Sequence, residues 1–429
     1  MSRQDRIAES ITVGRGRLPF SIALVSLLVL GASYVTNAMD RQVFPVLLPQ
    51  ISTDYGFNLG QGGLLSTIFT LGIGIAGIPG AYLLDRFSRK AVVVMGIGIY
   101  SAFTLLTAVS AGFLDMFAYR ALSGVGEAIQ NAALFSAVGA YFFTHRALAI
   151  GSLNFAYGVG AFIGPRWGAQ LAVGSGAWQT PFYVFAALGA VFIVIIPLAI
   201  SKRFTEQVES VDNNKAKTLT YENVPAKLYN KNVLLFALGG SVAGVAGYGY
   251  LGLYPTFLET QLNFSVVDAG TAAGMFGLGA LMGIPAGYLG DKVNQRWVLI
   301  VSFVALGVIG FLLFNGPTSP GWQNFLSFLE GTVGSGLLFT NTYSVIQRSV
   351  RPQMVGRVSG VFVTFWYLPS SLAGYLFASL KGAFGWEGAS IVQLGILPLV
   401  AVVLLLFVDV KQLINAVPVG EPHSAATRE

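Results

Sequence analysis

Three arginines and two carboxylates lie where a chain this apolar has least reason to keep them. Asp40 and Arg41 interrupt one hydrophobic run, Arg120 and Glu127 a second, and Arg166 a third. A charge at the centre of a membrane helix costs roughly 2.5–3.5 kcal/mol on insertion scales, so charges that persist there are functional by default. Arg120 and Glu127 stand on one face of a helix, about 10 Å apart along its axis. Gly124 lies between them and leaves room for a neighbour or a ligand. Asp40 and Arg41 are adjacent, about 100° apart around their helix, so one can face a cavity while the other reaches the Arg120–Glu127 helix. Three arginines against two acids leave one positive charge, and protonating either acid raises it to two. Such a cavity attracts an anion, and does so better with a proton aboard, which is the linkage behind proton–anion symport. Arginine suits the clamp because its fork meets a carboxylate bidentately and stays charged. Burial favours the neutral acid and each nearby arginine opposes it. The same five residues would also serve as an ion-pair network holding three helices together. The C-terminal half holds a single intramembrane charge, Glu330.

The elements that must position these groups are membrane helices. Apolar residues make up 54% of the 429 and charged residues 10%, less than half of the roughly 25% a soluble domain carries. Apolar segments run near Leu18–Leu48, Gly63–Leu84, Ala91–Ala111, Phe113–Phe143, Ala147–Val173, Pro181–Ile200, Asn232–Leu258, Ala269–Gly290, Trp297–Phe314, Trp322–Ile346, Val358–Leu380 and Ala389–Val408. Each approaches or exceeds the roughly 20 residues that cross about 30 Å of hydrocarbon, and only a helix satisfies its own backbone there. The Arg-rich start resembles a signal peptide, but eleven further spans make the first segment an uncleaved helix. With the N-terminus inside, the 25 Lys and Arg fall on the inner side except Lys381 and the three intramembrane arginines, as the positive-inside rule requires. The net charge of +6 is therefore topology, and no nucleic-acid partner is implied. There is no Cys, and His145 and His423 are the two histidines, which excludes thiol chemistry and a Cys/His metal site. The Gly-rich runs lack a Gly-Lys-Ser/Thr ending, so no nucleotide loop is present. No nucleophile or metal site accompanies the acids, and no enzyme is expected.

The chain repeats. Ile78-Pro79-Gly80-Ala81-Tyr82-Leu83-Leu84-Asp85-Arg86 returns as Ile284-Pro285-Ala286-Gly287-Tyr288-Leu289-Gly290-Asp291-Lys292, each ending the second helix of its half. The charged stretch between the sixth and seventh helices reads as a linker. The expected organisation is a six-helix bundle over 1–200, a cytoplasmic linker over 201–231, a second bundle over 232–410 and a cytoplasmic tail over 411–429. Paired six-helix repeats with a site between them are the architecture of alternating-access transporters.

Asp85-Arg86-Phe87-Ser88-Arg89-Lys90 resembles the major facilitator signature between helices two and three, with Ala81 and Ser88 at its glycine positions. Asp291-Lys292 and Arg296 give a weaker second copy. The resemblance implies an all-α fold of two pseudo-symmetric six-helix bundles, and a cytoplasmic gate of Asp85, Arg86, Arg89, Asp291 and Lys292. Tyr34…Asp40-Arg41 together with Arg120…Gly124-Val125-Gly126-Glu127-Ala128 resembles the anion:cation symporter family of sugar-acid and organic-anion transporters. That implies Arg41 and Arg120 for the anion and Asp40 and Glu127 for the proton. Tyr34, Asn37, Asn154, Tyr157, Tyr250 and Tyr254 complete the expected substrate wall, with Tyr250 and Tyr254 on one helical face. Spinster-like lysolipid and sphingoid-lipid transporters share nearly the same pattern and are the alternative, together with a drug–proton antiporter. A transporter-like nutrient sensor would need more than the roughly twenty residues after Val408, fewer than an ordinary domain. Gly160, Gly164, Pro165 and Gly168 resemble a helix-five signature first linked to antiporters, whose physical content is close packing. Arg166 either joins the cavity or reaches the outer interface. No cofactor is expected beyond the coupling proton. The expected partners are a small organic anion and the bilayer, for a monomer in the cell membrane (a bacterial inner membrane) with both termini cytoplasmic.

Overall fold

The computed structural model describes residues 18–142, 146–206, 223–351 and 354–414. The expected N-terminal tail, the middle of the linker and most of the C-terminal tail lie outside these. Among the described residues there is no strand. Among the described residues twelve long helical runs follow one another. They are α1 (Phe20–Tyr55), α2 (Leu59–Thr67 and Phe69–Arg86), α3 (Arg89–Ala108), α4 (Phe113–Tyr141), α5 (Arg146–Ser175), α6 (Thr180–Ala199), α7 (Lys231–Thr260), α8 (Val266–Ala280 and Gly283–Lys292) and α9 (Gln295–Asn315), with α10 comprising Pro320–Gly331, Thr332–Phe339 and Thr340–Arg348. The last two, α11 and α12, span Val355 to Leu406 and part at Gly385, whose φ of 71° no helix accommodates.

Eight stretches are long and apolar enough to cross a membrane, one of which holds both α11 and α12. The three runs outside that set are α4, α5 and α10, which carry Arg120 and Glu127, Arg166, and Glu330. Helix α1, which carries Asp40 and Arg41, is within the set. Helix ends are set locally. Asn58 and Gln61 form a capping box at the start of α2, Ser88, Asn230 and Ser265 cap α3, α7 and α8 through their side chains, and Gly56 ends α1 in the left-handed conformation. Each cap satisfies backbone groups that have no intrahelical partner.

Within the N-terminal bundle the helices meet backbone to backbone. A Cβ at Gly160 or Gly164 would collide with Val35 or Met39 of α1, and one at Gly168 with the side chain of Val43. The helix-five glycines therefore pack α5 onto α1, the physical role the sequence assigns them. The space beside Gly124 is taken by Phe69 of α2, so a neighbouring helix fills it and no ligand enters there.

The two bundles touch most closely on the side where α1 and α7 end. Gln50 Nε2 donates to Glu259 Oε2 at 3.2 Å, and Thr67 Oγ1 donates to the Ser371 carbonyl at 2.9 Å. Gly63 faces Gly374 with no room for a Cβ on either, and Gly274 and Gly277 press against Phe162 and Ala161 of α5. At the opposite end of the repeat, Tyr82 and Tyr288 are both exposed. Arg86 donates to the Tyr82 hydroxyl at 2.6 Å, and Lys292 lies 5.6 Å from the Tyr288 ring. The duplicated sequence thus makes the same contact twice.

Gly374→Val should open the Gly63 seam. Its Cβ would meet the Gly63 carbonyl, and overpacking of this kind costs about 1–3 kcal/mol. A cysteine replacing buried Ser66 should react about tenfold faster with a polar thiol reagent in the Gly374→Val background, over a chain with no cysteine of its own. Equal rates in both backgrounds would show that the seam yields without parting.

Candidate functional site

Helix α1 delivers Asp40 and Arg41 to the middle of the N-terminal bundle, both buried. Their 100° separation is resolved differently from the expectation. Arg41 both faces the cavity and reaches α4, while Asp40 turns to α3. Arg41 Nε donates to Glu127 Oε2 at 2.8 Å, an ion pair in which Arg41 is 3% exposed and Glu127 fully buried. Arg41 Nη2 also reaches Asn37 Oδ1 at 3.4 Å. Asn37 Nδ2 donates to Gln130 Oε1 at 2.9 Å, and Gln130 Nε2 donates to Ser33 Oγ at 3.2 Å. Ser123 Oγ donates to the second oxygen of Glu127 at 3.4 Å. Such bonds are what a buried charge needs to be tolerated. Asp40 Oδ2 accepts from Thr104 Oγ1 at 2.6 Å, and its Oδ1 has no hydrogen-bond partner.

Arg120 is placed otherwise than its expected clamp role requires. It is 2% exposed, with its guanidinium carbon 4.6 Å from the Phe44 ring centroid and 5.1 Å from that of Phe69. Two aromatic faces hold the cation, its Nε and Nη2 lack hydrogen-bond partners, and it does not line the cavity. Arg166 is exposed and off the cavity wall. The internal cluster is therefore Arg41 and Arg120 against Asp40 and Glu127, formally neutral with all four ionised.

The cavity between the bundles has a volume of about 100 Å³, several times the roughly 10–15 Å³ that one water needs. Arg41, Tyr34, Asn154 and Tyr157 form its N-terminal wall, as expected. Arg41 lies 5.6 Å from the Tyr157 ring, and Tyr157 accepts from Gln42 Nε2 at 3.2 Å. Tyr248, Trp366, Tyr367 and Glu330 stand on the opposite wall. Three expected wall residues lie elsewhere for a packing reason. Asn37 is one layer behind Arg41. Tyr250 shares a hydrogen bond with Ser327 at 2.6 Å and Tyr254 donates to Gln323 Oε1 at 2.9 Å, both fully buried against α10. Tyr248, two residues earlier on α7, faces the cavity instead. Gln130 was missed by the sequence reading, although its spacing of three from Glu127 puts both on one face of α4.

Helix α10 changes winding where it meets the cavity. Thr332–Phe339 closes its hydrogen bonds at i→i+5, a widened form that recurs at functional sites, and Gly334, Ser335 and Phe339 face the cavity from it. Of the expected gate residues, Asp85 and Arg86 are exposed at the end of α2. Arg89 Nη1 donates to the Thr205 carbonyl at 3.2 Å, within its own bundle. Glu206 meets the α3 N-terminus, accepting from the Arg89 and Lys90 backbone at 3.0 and 3.1 Å, where the helix dipole favours a negative group. Lys292 is exposed at the end of α8, one residue beyond Asp291.

Comparison with known proteins follows the same lines. The chain is 25% identical over 368 residues to the hexuronate transporter of Bacillus subtilis, covering 81% of this chain and 84% of that one. It is 29% identical over 273 residues to protein spinster of Drosophila melanogaster, covering 61% of this chain and 44% of that protein. In structure it resembles a bacterial homolog of the human lysosomal transporter Spinster, in an inward-facing, unoccupied conformation, with a TM-score of 0.70, 19% identity, and coverage of 91% of this chain and 96% of that one. Residues 30–374 match the Major Facilitator Superfamily, and the chain belongs to that family of membrane transporters.

Proposed function

We propose that this transporter is a proton-coupled symporter of an organic anion, working by alternating access of its two bundles about the central cavity. The observation that carries the reading is the Arg41–Glu127 pair on the cavity wall. While Glu127 is ionised it occupies the arginine fork. A proton on Glu127 ends that demand, leaves the four-charge cluster with one net positive charge, and frees Arg41 for a carboxylate from the cavity. Asp40 is the second proton carrier, behind the wall. The likeness to a hexuronate transporter supports an anionic substrate. With both termini cytoplasmic, the closed Gln50–Glu259 side is the outside and the described state faces inward. Asp85 and Asp291, at equivalent ends of α2 and α8, are then gate residues of the opposite state. The membrane is a bacterial inner membrane and the working unit a monomer.

A lysolipid substrate is the second reading, favoured by the aromatic and glycine-lined wall of the C-terminal bundle and by the likeness to protein spinster. Proteoliposomes with an internal pH dye decide between them. A hexuronate or an aromatic monocarboxylate is expected to drive proton entry, and a lysophospholipid is not. Proton movement with the lysolipid and with neither carboxylate would sink the organic-anion reading.

A further inference from the structure

We propose that Glu330 and the aromatic wall beside it form a subsite for a protonated amine, so that the transported anion also bears a cationic nitrogen. This deepens the organic-anion reading and rests on it for the second charge of the ligand. Glu330 is 1% exposed, lines the cavity from α10, and has an oxygen, Oε2, with no hydrogen-bond partner. No ion pair to it exists among the described residues. A buried carboxylate without a partner is costly, and in a membrane such a group marks a ligand path or a proton path.

The neighbouring polar groups are already engaged. The Ser327 hydroxyl, one turn away on α10, is shared with Tyr250, and Gln323 serves Tyr254. Arg41, the other charged residue on the wall, belongs to the opposite bundle and is held by Glu127 and Asn37. Glu330 thus lines the cavity with its buried Oε2 left without a partner from the protein.

Its surroundings favour a cation over a bare proton. Tyr248, Phe276, Phe339, Trp366 and Tyr367 line the same cavity. Tyr248 and Tyr367 stand 6.0 Å apart, and Phe339 meets Trp366 edge-on at 5.0 Å. Aromatic faces attract an ammonium group, and more strongly where water is excluded. Gly334 and Ser335, on the widened turns just beyond Glu330, keep the space beside the carboxylate free of bulk. An amine at Glu330 and a carboxylate at Arg41 would tie the two bundles together through one molecule.

Purified transporter in nanodiscs, titrated calorimetrically with three matched probes, tests this. The probes are 4-methylbenzoate, 4-methylbenzylamine and 4-(aminomethyl)benzoate. The zwitterion is expected to bind at least about tenfold tighter than 4-methylbenzoate, and in Glu330→Gln the ratio should fall to within about twofold of unity. Glu330→Asp, which keeps the charge and the fold, should retain part of the preference. Equal affinities for the two carboxylates in the native chain would overturn the subsite and leave the anion reading standing. Binding of the amine alone, lost in Glu330→Gln, would overturn the anion reading and keep the subsite. A native chain that binds none of the three overturns both.

Discussion

Glu127→Gln is expected to abolish accumulation driven by a pH gradient while leaving substrate exchange intact. The amide reproduces the size and neutrality of the protonated acid, and its carbonyl can still accept from Arg41 Nε, the donor now 2.8 Å from Glu127. What it cannot do is gain or lose a proton as the bundles rock. In vesicles the variant should equilibrate substrate without concentrating it, with counterflow within about tenfold of native, since a hydrogen bond to the amide replacing the ion pair changes affinity by about 0.5–1.5 kcal/mol. Pumping that survives would remove Glu127 from the coupling role and transfer it to Asp40, whose unpartnered Oδ1 is the other candidate.

Arg41→Lys is expected to lower affinity for a carboxylate substrate by about 10–150-fold, the equivalent of roughly 1.5–3 kcal/mol for hydrogen bonds to a charged group. Lysine keeps the charge and loses the planar fork that serves Glu127, Asn37 and the ligand at once. Arg120→Lys provides the contrast. Its guanidinium lies between Phe44 and Phe69, away from the cavity. Lysine lacks the flat face that stacks there, so the loss should appear as a lower melting temperature, with affinity within about threefold of native, as for interactions outside the ligand contact. Binding isotherms and thermal unfolding of the two variants separate these outcomes. If Arg120→Lys loses affinity as Arg41→Lys does, the cavity reorganises on binding and both arginines reach the anion.

The helices, their order and the identity of the charged cluster were legible because each leaves a one-dimensional mark. A 20-residue apolar run, a repeated Tyr…Asp-Arg/Lys ending and an acid within hydrocarbon can all be read along the chain. Which arginine faces the cavity was not, because Arg41 and Arg120 carry the same charge and differ in what other helices bring beside them. Phe44 and Phe69, which screen Arg120, come from two other helices. Tyr248, Tyr250 and Tyr254 posed the same difficulty on α7. Small shifts in helix rotation decide which of them meets Ser327 and Gln323 and which is left to the cavity. Glu330 was visible as a charge but had no partner in sequence, and its meaning comes from the aromatic residues that three other helices bring beside it. The sharp boundary between α11 and α12 depends on a single positive φ at Gly385, one glycine among 53.

The wide winding of α10 has a consequence for the length of the chain. In an ordinary span, deleting a residue turns everything beyond the cut by about 100° and moves it about 1.5 Å. Thr332–Phe339 already holds more backbone per closed hydrogen-bond ring than an α-helix needs. Deleting a residue there lets the segment rewind as α-helix, with Glu330 on one flank and Asn341 on the other keeping their bearings. Only the local bulge toward the cavity is lost. Helix α10 thus holds a residue in reserve, and a change in chain length at that point alters the shape of the chamber without disturbing the register of the span.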